Sequence, residues 1–456
     1  MNVDVIIVGA GIAGLAAARQ LVDQGRSVMV LEAQERVGGR LLSTQVAGAR
    51  LDLGGQWLGP RQPRLARLAQ ELGVATYPQH HAGIKLLSWQ GRIRRFRGEV
   101  PWLSPLALFE LWRLERRLNR MQTLVPPDAP WEAPHAAEWD GQSLETWKRK
   151  QLWSKGSRLF VDLVTRAVIT SEPCDVSLLY FLTYLRSGTG LRHLISIPDG
   201  AQESRFQGGA QQLAERLADQ LGDRVKLRSP VRAVRQSLST SEVVTDAGER
   251  WLARRVIVAL PPLLAGRIYY DPALPVRREQ LTARMPMGSV IKYVAAFARP
   301  FWREAGLSGE AFCDAGPATT TFDDSDPGSG QAALVGFSDG AAARHWGEWG
   351  PNERRQAVLG EWVRLFGREA AQPLDFVEKN WCADSWSRGC YAGVAGPGVL
   401  TAWGPALREP CGRVHWAGTE TATEWLGYIE GALQSAERVV TEVVAALTVD
   451  ASAPSA

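Results

Sequence analysis

Hydrophobic positions at the start of the chain fall into two rhythms. Residues 3–8 (VDVIIV) are a nearly unbroken apolar run, as expected of a parallel strand buried on both faces. Residues 12–24 are rich in alanine and leucine and predict a helix, and residues 27–31 form a second apolar run ending at Glu32. Between the first strand and the helix stand Gly9, Gly11 and Gly14, in GxGxxG spacing. Gly9 permits the tight turn, Gly11 lets the backbone approach a pyrophosphate, and Gly14 lets helix and strand pack closely. Free N–H groups at the helix start would face the phosphate charge, and the Glu32 carboxylate would accept hydrogen bonds from ribose hydroxyls. A glycine-rich turn in an ordinary α/β domain would show the glycines alone. Here strand, helix and acid are in register, so a dinucleotide site is expected. Glu32 argues against a 2′-phosphate, which leaves FAD and NAD open.

The following segment favours FAD. Arg36 precedes Gly38-Gly39-Arg40, and Leu53-Gly54-Gly55-Gln56-Trp57 comes next. Paired glycines allow close backbone approach, and the Arg40 guanidinium is suited to phosphate oxygens. Strand-like pieces return after Gln207-Gly208-Gly209, at 224–227, 231–234 and 256–260, where Pro261-Pro262 ends the run. A third set begins near Asp384 and ends in a predicted helix over 427–447. The tracts between them carry more tryptophan, longer helical patterns and loops.

A chain of 456 residues exceeds one ordinary core, so two domains are expected. The net charge of +4 is mild, and the arginine clusters at 92–97 and 113–120 read as solvated faces. No dense basic stripe or recognisable nucleic-acid module is present. Five scattered cysteines without a CxxC exclude a disulfide framework, and the six histidines have no metal-ligand spacing. Met1 leads directly into the first strand, and no apolar run reaches the length of a membrane span. These features read as a cytoplasmic protein with no transmembrane anchor. Residues 100–112 (VPWLSPLALFELW) are apolar with two prolines, and read as a buried connector or helix in the second domain. The alternative is a loop touching a membrane surface.

Several motifs in fixed order give the chain a specific resemblance: DLGGQWLGP, DAPWEAPHAAEWD, LGDRVKL, MGSVIKY, NWC before SRGCY, and AGTETATEWLGYIEGA. Along almost its whole length it resembles the flavin-dependent amine oxidases, and among them the monoamine oxidases. The resemblance implies an α/β fold with a discontinuous Rossmann-like FAD-binding domain (1–75, 207–282 and 384–448). It further implies an α+β substrate domain (76–206 and 283–383), with a frayed tail at 449–456. It implies FAD bound by Gly9, Gly11, Gly14, Glu32, Arg40, Gly55, Gln56, Val231, Trp381, Glu420 and Ile429, with a covalent link through the sulfur of Cys390. Tyr391 and Tyr428 would form an aromatic cage for the amine, and Lys292 would hold a water that assists reoxidation by O2. Gln202, Leu194, Ile195, Trp57 and Val168 would line the substrate cavity and its gate. Ala167 and Val168 suggest a roomy pocket. Glu424 would place an acid near the site, with a bias toward a second cationic group.

The expected reaction is oxidation of a primary or simple secondary apolar or aromatic amine to an imine. Water then gives aldehyde and ammonia, and O2 is reduced to H2O2. The partners are therefore a small amine and O2, with no nucleic acid and no metal, and a homodimer is compatible with the sequence. One rival is an L-amino-acid or polyamine oxidase on the same fold, for which Arg192 or Arg205 would have to meet a carboxylate. The other is a flavin-carrying binding protein with little turnover.

Overall fold

The computed structural model describes residues 2–101 and 103–452. The first apolar run becomes the strand Asn2–Val8, flanked in parallel by Val28–Leu31 and Arg250–Val258. Val5, Ile6 and Ile7 are fully buried, so both faces of this strand must be covered. On one face lie the helices Ile12–Asp23, Gln211–Leu221 and Ile429–Ser452, which share a continuous apolar core with it. The other face packs on Trp251, Tyr270 and Trp416. The complete sheet has eight strands. Val225–Lys226 and Val414–Trp416 join the parallel part, while Ser241–Thr245, Val231–Gln236 and Tyr269–Asp271 extend it beyond Arg250–Val258. Three separated stretches of chain, 2–31, 225–271 and 414–416, thus build one α/β sheet.

A second, seven-stranded sheet takes its strands from 84–96 and 290–380. Within it Val290–Phe297 pairs antiparallel with Ala332–Asp339, and both strands are buried along their entire length. The helices Lys155–Ile169 and Leu178–Ser187 pack beside it in a separate apolar core. A small three-stranded sheet joins Trp57–Leu58, Thr76–Pro78 and Ser204–Phe206. The architecture is an α/β Rossmann-like sheet combined with an α+β region.

Two expectations are corrected. Of the tail expected to fray at 449–456, residues 449–452 continue the last helix to Ser452, where Asp450 is held by Arg255 (2.7 Å) and Arg413 (3.0 Å). Residues 453–456 lie outside the described part. Within 100–112, a helix does begin at Pro105, capped by Ser104, but its apolar residues are not all buried. Leu106, Leu108, Phe109 and Trp112 are 42–57% exposed, since the helix turns Ala107, Glu110 and Leu114 inward instead.

The turn after the first strand depends on its glycines. Gly9 has φ of +104°, a conformation costly for any residue with a side chain. At Gly14 a β-carbon would come within 2.1 Å of the Gly9 carbonyl oxygen. That contact cannot be relieved by a side-chain rotation, because the obstructing atom is backbone. Gly14→Ala is therefore expected to destabilise the protein by about 1–3 kcal/mol. It should also lower the amount of dinucleotide retained on purification. Thermal unfolding and cofactor absorbance check both, and a wild-type midpoint would contradict the packing argument.

Candidate active site

The first two parallel strands stop at Val8 and Leu31, and a cavity of about 420 Å³ opens beyond their carboxyl ends. Such crevices are where doubly wound sheets bind ligands. Gly9, Gly11, Glu32, Arg40 and Val231 line one part of it. A β-carbon built on Gly11 meets nothing within 4 Å, so backbone here borders open space that a phosphate could approach. Gly14 lies beneath the turn rather than on the cavity wall. The Glu32 carboxylate is fixed by the N–H groups of Ala10 (2.6 Å) and Gln34 (2.9 Å). Each oxygen retains acceptor capacity toward hydroxyls. Burial pushes its pKa upward, and these N–H donors oppose that shift.

Arg40 has a different environment from the one expected of a free phosphate ligand. Its terminal nitrogens meet Glu420 at 2.7 and 3.1 Å and the Tyr391 carbonyl at 2.6 Å. Glu420 is almost wholly buried and also accepts from the Gly393 N–H (3.1 Å), so it supports the wall without lining it. Arg36 braces the preceding loop through the carbonyls of Val37, Gly39 and Leu41.

Gly55, Gln56, Trp57, Lys292, Trp381, Cys390, Tyr391, Tyr428 and Ile429 line the rest of the cavity. The Trp381 indole N–H donates to the Leu53 carbonyl at 2.9 Å, fixing that ring behind the second glycine pair. Tyr391 is positioned by Thr170, whose hydroxyl accepts from its N–H (3.1 Å) and donates to the Cys390 carbonyl (2.5 Å). Tyr428 packs on Trp425 and Tyr184, with ring centres 5.1 and 6.2 Å apart. Both cage tyrosines therefore border the same space, each held by its own neighbours. Burial pushes the Cys390 thiol up to about 12, while the Arg40 guanidinium pulls the other way.

Lys292 stands on the strand Val290–Phe297 of the second sheet and is only 2% exposed. Its ammonium donates to the Gly54 carbonyl (2.9 Å) and to Gln56 Oε1. The Gln56 amide in turn donates to Asp324 (3.0 Å), which is ion-paired with Arg205 (2.9 Å). Burial lowers the Lys292 pKa to about 8, against the pull of Asp324 and Asp52. Asp324 had no signal in the sequence, where it is one of several acids in a polar turn. It is the charge that links Gln56 to Arg205.

A second cavity of about 90 Å³ shares Trp57, Ala167, Val168, Gln202, Phe337 and Tyr391 with the first. Leu194 and Ile195 line only this smaller chamber. Gln202 donates to the Leu194 carbonyl at 3.0 Å, which ties it to the Leu191–Ile195 helix. Glu424 does not reach either cavity. It is 55% exposed and paired with Arg64 (2.6 Å), so the acid expected near the site is absent from its walls. Arg205 is held by Asp324, and Arg192 is 73% exposed beside Glu99 (3.4 Å). Neither arginine is on the wall of these cavities. Sequence reasoning also missed Phe322 and Phe337, buried-strand aromatics with nothing in their spacing to separate them from ordinary core.

The profile of the flavin-containing amine oxidoreductases matches residues 12–444. The chain belongs to that family. It is 40% identical to the flavin-containing amine oxidase A of Bos taurus, across 97% of this chain and 85% of that protein. It is likewise 40% identical to a flavin-containing amine oxidase of Danio rerio, across 97% and 86%. Among solved structures, cyclohexylamine oxidase from Brevibacterium oxydans superposes with a TM-score of 0.94 at 34% identity, covering 98% of this chain and all of that one. Putrescine oxidase bound to putrescine superposes at 0.93 with 33% identity, covering 98% and 99%. Membership of this family makes the chain a flavoprotein oxidoreductase acting on amines. No helix among the described residues is long and apolar enough to cross a membrane, and no His/Cys/Asp/Glu group among them is arranged for a metal.

The Lys292 environment makes a direct prediction. Its ammonium should titrate near pH 8, below the ordinary lysine value of 10.5 that it has in the unfolded chain. Between those values the unfolded chain holds a proton that the folded chain has released. This group therefore makes the protein more stable as pH rises through that window. NMR titration of ¹³C-labelled lysine side chains reads the midpoint directly, and a value near 10.5 for Lys292 would contradict the burial argument.

Proposed function

We propose that this chain uses FAD to oxidise primary or simple secondary amines with apolar or aromatic bodies, yielding imine and H2O2. The observation that carries the reading is the convergence on one cavity of a dinucleotide cradle, two tyrosine faces and a buried lysine. The donors and glycines fit a flavin dinucleotide: Gly11 borders open space, Glu32 has acceptor capacity left, and Gly55 and Trp381 wall the far part. When bound, FAD supplies a two-electron acceptor that O2 restores. Tyr391 and Tyr428 exclude bulk water and offer flat, electron-rich faces that orient the amine. Lys292 donates hydrogen bonds from the adjoining wall, and we assign it to holding the water that assists reoxidation.

The amino-acid reading loses its support, because Arg192 and Arg205 are engaged away from the cavity walls. The acid offered for a polyamine, Glu424, is likewise paired at the surface. A cytoplasmic location remains our proposal from the mild net charge.

We further propose Cys390 as the covalent attachment point. Its side chain lies in the cavity wall, and the Arg40 guanidinium opposes the burial that pushes the thiol up to about 12. Denatured, acid-precipitated protein should remain yellow, while Cys390→Ala should bind FAD and release it on precipitation. Complete release from the wild type would overturn the link without touching the family assignment.

The cage predicts a pH profile. Only the free base of the amine can release hydride, so flavin reduction at limiting substrate should rise with pH toward the substrate pKa. Each pH unit below that value should cost about tenfold in rate. Tyr428→Leu should slow reduction by arylalkylamines while flavin stays bound. A flat pH profile together with full activity in Tyr391→Leu/Tyr428→Leu would reduce the tyrosines to packing. Stopped-flow absorbance measures both.

A further inference from the structure

The wall of the smaller cavity carries a charged pair that the chemistry above does not use. Glu310 and Lys85 stand on the adjacent parallel strands Leu307–Cys313 and Ile84–Trp89, with Glu310 Oε2 2.7 Å from the ammonium. The pairing is irregular here: Leu307 faces Ile84 but Ala311 faces Leu86, so the glutamate strand carries extra residues. The Glu310 N–H leaves the ladder and donates to the Ser308 hydroxyl at 3.1 Å. Such bulges re-aim side chains, and this one sits beside the cavity. Glu310 is 2% exposed and lines the chamber that Tyr391 also lines.

Its second oxygen, Oε1, is buried and has no hydrogen-bond partner among the described residues. The Ser308 hydroxyl lies near enough to favour the carboxylate, but it is directed at the Ile84 carbonyl (3.4 Å) and leaves Oε1 outside hydrogen-bond geometry. A buried carboxylate oxygen left in this state is costly, and a donor entering the cavity would satisfy it. The charge of Glu310 is already balanced by Lys85, so the remaining need is for a hydrogen rather than for a positive charge. Phe96, Phe312 and Phe322 complete the walls, which suits a flat apolar body between the donor and the cage.

We infer that Glu310 is a specificity-determining residue that accepts a hydrogen bond from a hydroxyl group at the far end of an arylalkylamine. The amino group of that substrate lies between Tyr391 and Tyr428. The inference rests on the amine-oxidase reading and adds a preference within it. A site built to accept a hydrogen bond rejects an analogue lacking the donor far more strongly than an apolar pocket rejects a missing methylene.

The test compares matched amines by peroxide formation under air. The pairs are 2-phenylethylamine and 4-phenylbutylamine, each with and without a para hydroxyl, beside 1,4-diaminobutane. In the wild type, at least one hydroxylated amine should exceed its partner by about tenfold in kcat/KM, carried by KM. Glu310→Leu should bring that ratio close to one. Glu310→Gln keeps an acceptor oxygen and should retain part of the preference, so it serves if the leucine variant does not accumulate with flavin. A ratio near one in the wild type, or a ratio preserved in Glu310→Leu, overturns the inference. A diamine preferred over all the arylalkylamines overturns it in favour of a cation subsite. If none of the amines is oxidised, the oxidase reading fails first and this preference with it.

Discussion

The arrangement of the site depends on one ion pair. Arg40 comes from the loop after the first glycine turn, and Glu420 from the final segment, yet their side chains meet at 2.7 Å. Glu420 also receives the Gly393 N–H, and Arg40 holds the Tyr391 carbonyl. A single buried carboxylate thus fixes the dinucleotide loop, the Cys390-Tyr391 step and the start of the last segment relative to one another. A buried carboxylate without its partner would be strongly unfavourable, so the pair constrains all three segments at once. The cofactor cradle and the cage have a defined spacing because they are bolted to the same charge.

The same logic of buried charge organises the second sheet. Lys292 is carried into the apolar interior by a strand whose every residue is buried, and it is tolerated there because Gly54, Gln56 and Asp324 form a continuous polar chain to Arg205. Gln56 belongs to the segment that follows the first sheet, so this chain crosses between the two halves of the fold. Charged groups in this molecule mark the joints: Arg40 with Glu420, Lys292 with Asp324 through Gln56, and Asp450 with Arg255 and Arg413 at the end of the last helix. The cavity walls between these joints are largely apolar.

Local signals in the sequence were sufficient for the nucleotide-binding half. The run at 3–8, the glycines at 9, 11 and 14, and Glu32 are all set by neighbours in the chain, and the structure places them together. The motif order around Cys390, Tyr391 and Tyr428 likewise pointed to residues that share one cavity. What could not be read was which charged residues find partners. Glu424 looked like a site acid but is captured by Arg64, and Arg40, which lines the cavity, is also engaged by Glu420. Asp324, Glu310 and Lys85 acquire their surroundings only through strand pairing at long range, which no spacing in the sequence encodes. The helix after Ser104 shows the same limit, since its apolar residues do not reveal which face a neighbour will cover.

The central claim is that the Arg40–Glu420 pair sets the position of Tyr391 relative to the cofactor cradle. The most direct measurement is the rate of flavin reduction per bound flavin, at saturating amine, in Glu420→Gln. That change preserves size and removes the charge. Asp450→Asn, which weakens an ion pair at the far end of the same fold, serves as the control for general loss of stability. The account predicts that Glu420→Gln lowers flavin content and slows reduction about tenfold or more in the flavin-loaded fraction, while Asp450→Asn leaves the reduction rate per flavin unchanged. Wild-type flavin content and wild-type reduction in Glu420→Gln would contradict it.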